Sequence, residues 1–136
     1  MSIRFLTVGL AAFAALLLLA IWPVVARGHT PNTALACTIV GTDGPDLLVG
    51  TNGNDVICAK GGADIVTGHG GNDIIKGGTG SDTLYGDLGK DVLVGGPGND
   101  WLYARDSVHD HVLGGDGTDH ANVDKPLDYT LSVEIK

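Results

Sequence analysis

Aspartate recurs along this chain at a near-constant spacing. Asp46, Asp55, Asp64, Asp73, Asp82, Asp91 and Asp100 lie nine residues apart, and Asp110 and Asp119 follow after one interval of ten. A carboxylate is a hard oxygen donor and carries a charge at neutral pH. Stacked side by side, such groups repel and raise one another's pKa. A divalent cation between them removes the repulsion. Carboxylates joined by main-chain carbonyls select Ca2+ over a transition metal. The nine aspartates are therefore the candidate metal ligands, and several ions are expected. An EF-hand is excluded, because its loop ends in a bidentate acid that is usually glutamate, and the only Glu is Glu134. No H-E-x-x-H, G-x-S-x-G or P-loop sequence occurs, so an enzyme is not expected. The net charge of −8 argues against a nucleic-acid partner.

The same spacing describes the elements that must hold these side chains. Written in nines from Gly41, the rows are GTDGPDLLV, GTNGNDVIC, AKGGADIVT, GHGGNDIIK, GGTGSDTLY, GDLGKDVLV and GGPGNDWLY; an imperfect ten, ARDSVHDHVL, and then GGDGTDHAN follow. Aspartate fills the sixth column. Glycine fills the fourth, except in the row of ten. The eighth is apolar in every row, from Leu48 and Ile57 to Val112 and Ala121. Glycine permits the positive φ of a tight turn. The last three columns have a strand-like composition. Each row thus supplies one turn and one very short strand, and two rows make one coil. The expected fold is all-β, a right-handed parallel β-roll (a β-solenoid), with coils stacked at about 4.8 Å. Column eight of both sheets meets in a thin core. One edge then carries Asp46, Asp64, Asp82, Asp100 and Asp119, and the other carries Asp55, Asp73, Asp91 and Asp110. A helix bundle is excluded, because 20 of the 22 glycines fall between Gly41 and Gly117.

The pattern GGxGxDxUx, carried by Gly41 to about Asn122, resembles the calcium-binding nonapeptide of RTX (repeat-in-toxin, haemolysin-type) proteins. The resemblance implies a parallel β-roll with Ca2+ held between same-side turns. It implies that the sixth-column aspartates are the side-chain ligands and that carbonyls of the glycine-rich turn complete the shell. Column two departs from glycine at Thr42, Thr51, Lys60, His69, Asp87 and Arg105. The row of ten puts Asp110 in doubt as a ligand. The best-formed sites are expected at Asp46/Asp64, Asp64/Asp82, Asp82/Asp100, Asp55/Asp73 and Asp73/Asp91. The core is thin, the chain is rich in glycine, and acids are stacked above it. Folding is therefore expected to depend on the metal.

Residues 1–26 read as a signal peptide: one basic residue, Arg4, precedes an uncharged apolar run from Phe5 to Ala26. A signal helix is thus expected ahead of the roll. A retained anchor is the alternative, since 22 apolar residues can span a bilayer. Either reading places the repeats outside the cytoplasm: secreted, or membrane-anchored with the repeats exposed. Cys37 and Cys58 suit an oxidising compartment and suggest one disulfide, with two unrelated thiols as the other reading. Residues 27–40 are expected to form a linker and first strand, 41–122 the repeats, and 123–136 a capping strand whose residues alternate after Pro126. His109, His111 and His120 near Asp110, Asp116 and Asp119 could suggest zinc, but His111 and His120 fall on consecutive rows and hence on opposite sheets. Columns seven and nine face outward yet hold Leu47, Val49, Ile65, Tyr85, Trp101 and Tyr103 on one sheet. Strand propensity accounts for them; a calcium-dependent adhesion or interaction surface is the alternative function. The chain is expected to be a monomer.

Overall fold

A computed structural model describes residues 35–135. The expected leader and most of the linker lie outside those residues. Every described element is a strand, and among the described residues no helix is long and apolar enough to cross a membrane. One sheet is built from β1 (Ile39–Val40), β3 (Val56–Gly61), β5 (Ile74–Thr79), β7 (Val92–Pro97), β9 (His111–Asp116) and β11 (Tyr129–Leu131), in that order. The other runs in the order β12 (Glu134–Ile135), β10 (His120–Val123), β8 (Trp101–Ala104), β6 (Thr83–Tyr85), β4 (Ile65–Thr67) and β2 (Leu47–Val49). The chain crosses from one sheet to the other at every turn. All pairings are parallel, and the register advances by one coil, as in Ile57↔Ile75 and Leu84↔Leu102. The fold is the expected all-β parallel solenoid, of about five coils.

Alternation along each strand explains what is inside. Columns six, eight and one point inward. Column eight forms the core: Ile57, Val66, Ile75, Leu84, Leu93, Leu102 and Val112 are fully buried, and Ala121 nearly so. Leu48 is only half buried, because its coil has a neighbour on one side alone. Column one is glycine or alanine in the nine rows from Gly41, and Ala59 and Ala104 are buried there. Columns seven and nine face outward with one exception. Val56 is buried, where Thr38 pairs alongside it through Thr38 N–H to the Val56 carbonyl at 2.7 Å. Cys37 and Cys58 form a disulfide that ties this segment down, and among the described residues no cysteine is free.

The tail differs from a single capping strand. It divides into β11 on one sheet and β12 on the other, with Ser132 at a positive φ of 55° between them. Counting nine from Asp119 explains the first half. VDKPLDYTL (123–131) is a tenth row, and Asp128 stands in its sixth column.

Candidate metal centre

The aspartates of column six are the polar corner of the interior. Asp64, Asp73, Asp82, Asp91, Asp100, Asp110 and Asp119 are each at most 2% exposed. Coil stacking gives one oxygen of each a fixed partner. Oδ1 of each aspartate accepts the main-chain N–H of the aspartate one coil earlier. On one edge the bonds run Asp46 to Asp64, Asp64 to Asp82, Asp82 to Asp100 and Asp100 to Asp119, at 2.8–2.9 Å. On the other they run Asp55 to Asp73, Asp73 to Asp91, Asp91 to Asp110 and Asp110 to Asp128, at 2.7–3.0 Å. The two expected rows are therefore real ladders, and each extends through every coil. Asp110 keeps its place despite the longer row. The extra residue is taken up in the turn, where Ser107 has φ 74° and Asp106 Oδ2 accepts Gly89 N–H at 2.7 Å. Asp128 joins the second ladder. Its spacing of nine from Asp119 was the signal for it, masked by Lys125-Pro126 where the row has no glycine.

The second oxygen divides the aspartates into two groups. Oδ2 of Asp64, Asp73, Asp82, Asp91, Asp100, Asp110 and Asp119 is buried and has no protein partner. Seven orphaned acceptors in one interior are costly unless something else satisfies them. Asp46 and Asp55 differ. Oδ2 of Asp46 accepts Thr42 N–H at 2.6 Å and the Thr42 hydroxyl at 2.9 Å. Oδ2 of Asp55 accepts the same two donors from Thr51 at 2.7 and 2.9 Å.

Six of these aspartates have shifted acidities. The Thr51 main-chain N–H and hydroxyl hold Asp55 below the usual carboxylate range. Burial pushes Asp73 and Asp82 up. It pushes Asp91 to about 7, and Asp100 and Asp110 to about 6. In each of these five the ladder N–H works in the opposite direction, and neighbouring aspartates add a further upward push. Mutual repulsion was the expected cause; burial is the larger one.

The turns themselves are tightly stacked. An added Cβ on Gly80 would lie 1.7 Å from the Gly62 carbonyl oxygen, and one on Gly98 equally close to that of Gly80. Turn carbonyls therefore face the next coil. Column one closes the turn from inside: a Cβ on Gly77 or Gly95 would lie 2.4 or 2.3 Å from Oδ2 of Asp82 or Asp100. Among the described residues no three or more His, Cys, Asp or Glu side chains converge on one point. His111 and His120 stand on opposite sheets, on β9 and β10. The donor set is thus a few carboxylate oxygens with main-chain carbonyls around them. That composition fits Ca2+ and not a soft or nitrogen-preferring ion.

The two edges are not alike. One has Lys60, Gly78, Gly96 and Gly115 in column two, all at positive φ. The other has His69, Asp87, Arg105 and Asp124 in the same column. There His69 Nδ1 faces Asp87 Oδ2 at 3.8 Å and Arg105 Nε faces Asp124 Oδ1 at 3.4 Å. On the outer face of the second sheet, Tyr85 and Tyr103 stack at 4.7 Å across neighbouring strands, and Trp101 meets His120 at 4.5 Å. Cross-strand stacking of this kind stabilises the sheet that carries it.

Residues 38–66 and 67–102 match the family of the RTX calcium-binding nonapeptide repeat, as four copies. Comparison with curated proteins gave no match.

Proposed function

We propose, for a chain that carries RTX calcium-binding nonapeptide repeats, that it is an exported calcium-binding protein whose roll folds when the metal binds, and that it has no catalytic role. The observation that carries this reading is the row of seven buried aspartate oxygens without a protein partner. Bound calcium supplies positive charge and open coordination positions to such oxygens. The residues that hold it are Asp64, Asp73, Asp82, Asp91, Asp100, Asp110 and Asp119, with carbonyls of the intervening turns.

Folding and binding are one process in this reading. Bringing the aspartates together desolvates and crowds them, and the single apolar column inside offers little to offset that. A ligand bound only by the folded chain adds its binding free energy to stability. The Cys37–Cys58 disulfide supports export, since such bonds persist in oxidising compartments.

Far-ultraviolet circular dichroism with calcium and with a chelator tests the proposal. The expected result is a β spectrum with calcium and a largely disordered one without it. An unchanged β spectrum in chelator would overturn the coupling.

A further inference from the structure

We propose that Thr42 and Thr51 occupy the place of the metal at the first two turns, so that calcium is held along the middle of the roll and not at Asp46 or Asp55. The inference rests on the calcium-binding reading and sharpens it to named sites.

The ten sixth-column aspartates do not share one environment. At seven of them Oδ2 is buried and unpartnered. At Asp46 and Asp55 the same oxygen receives two donors from the residue four positions earlier, an N–H and a hydroxyl, at 2.6–2.9 Å. At Asp128 it receives Asp124 N–H at 2.7 Å. The partnered aspartates are the first two and the last. The unpartnered ones are all those between.

At the first two turns the residue type in column two accounts for the environment. Arg105 and Asp124 also lack a positive φ although unbranched, and there Asp110 Oδ2 is unpartnered while Asp128 Oδ2 is capped. Lys60, His69, Gly78, Asp87, Gly96 and Gly115 all adopt positive φ, between 65° and 116°. Unbranched side chains and glycine reach this region; a β-branched residue there is a severe outlier. Thr42 and Thr51 are β-branched, and neither has a positive φ. Their turns keep the other backbone path, which aims the column-two N–H and the hydroxyl at the aspartate. Each hydroxyl also accepts the N–H of the column-four glycine, at 3.2 Å from Gly44 and 3.1 Å from Gly53. The threonine therefore satisfies both its own turn and the carboxylate. An Oδ2 that accepts two such bonds has no direction left for a cation.

The test counts calcium ions per chain, by isothermal titration and native mass spectrometry, in the oxidised protein. Asp82→Asn and Asp91→Asn are expected to lower the count. Asp46→Asn and Asp55→Asn are expected to leave it unchanged. The double variant Thr42→Val with Thr51→Val is a second arm that leaves every carboxylate in place, and it too is expected to keep the count. A fall in the count with Asp46→Asn, Asp55→Asn or the valine pair, while Asp82→Asn also lowers it, would overturn the inference alone. In that case the threonine hydroxyls and their aspartates would be ligands themselves. If the unaltered protein binds no calcium, or Asp82→Asn and Asp91→Asn leave the count unchanged, the calcium reading itself fails.

Discussion

A buried carboxyl with one fixed donor and one orphaned oxygen has two ways to be satisfied, a cation or a proton. Asp91 near 7, with Asp100 and Asp110 near 6, already leans toward the proton when no metal is present. The unfolded chain titrates its aspartates near the ordinary carboxylate value of 3.8. Between about pH 4 and pH 7 the folded, metal-free roll therefore binds more protons than the unfolded chain. Its stability must then fall as pH rises through that window and level off above it. The expected outcome is that, in chelator, lowering the pH from about 7.5 to about 5 increases the β signal in circular dichroism. Protons and calcium compete for the same oxygens, so calcium affinity must fall over the same window. A metal-free chain that holds a strong β spectrum, unchanged across it, would show that these carboxyls are not buried as described.

At the scale of the coil, stacking distance is set by what the turns leave out. Gly80 has φ 126°, and its missing Cβ is the only reason the Gly62 carbonyl can lie where it does. Gly80→Ala adds a backbone clash to left-handed strain and is expected to cost about 2 kcal/mol or more. Gly44→Ala is the control. Its added Cβ meets nothing nearer than the Thr42 hydroxyl at 3.9 Å, and its φ is not positive. Thermal melts in saturating calcium should separate the two variants clearly; equal melting would deny the close approach. These elements were unusually legible in the sequence. Aspartate, glycine and an apolar residue each recur at one fixed interval, and a solenoid converts interval directly into position. Less legible was whatever depends on how side chains meet in the folded turns. The second bond of Asp46 and Asp55 comes from Thr42 and Thr51, which in the sequence are merely departures from glycine. Asp128 lay hidden because Lys125 and Pro126 disguise its row. The dominance of burial over repulsion is likewise a property of the assembled stack, not of any one row.

Across the whole molecule, each coil touches only its neighbours, so stability accumulates along the roll and the ends are its weak points. The N-terminal end carries a covalent tie where the other coils have none. Cys37 and Cys58 are 21 positions apart and join the segment leading into β1 to β3. A crosslink of that span restricts the unfolded chain by about 3 kcal/mol in the loop-entropy model. Reduction should therefore weaken folding roughly 150-fold without removing a metal ligand. With calcium driving the transition, that loss appears as a higher calcium concentration at the folding midpoint. For n equivalent ions the midpoint rises by about the nth root of 150, because each ion contributes its own logarithm of concentration. The number of ions bound at saturation should not change. Titrating calcium into oxidised protein and into a Cys37→Ser/Cys58→Ser variant, followed by circular dichroism, measures both quantities. A shifted midpoint with the same final count places the disulfide in the folding equilibrium and outside the sites. A reduced count would instead make the first coils part of the metal-binding surface, against the capping role of Thr42 and Thr51.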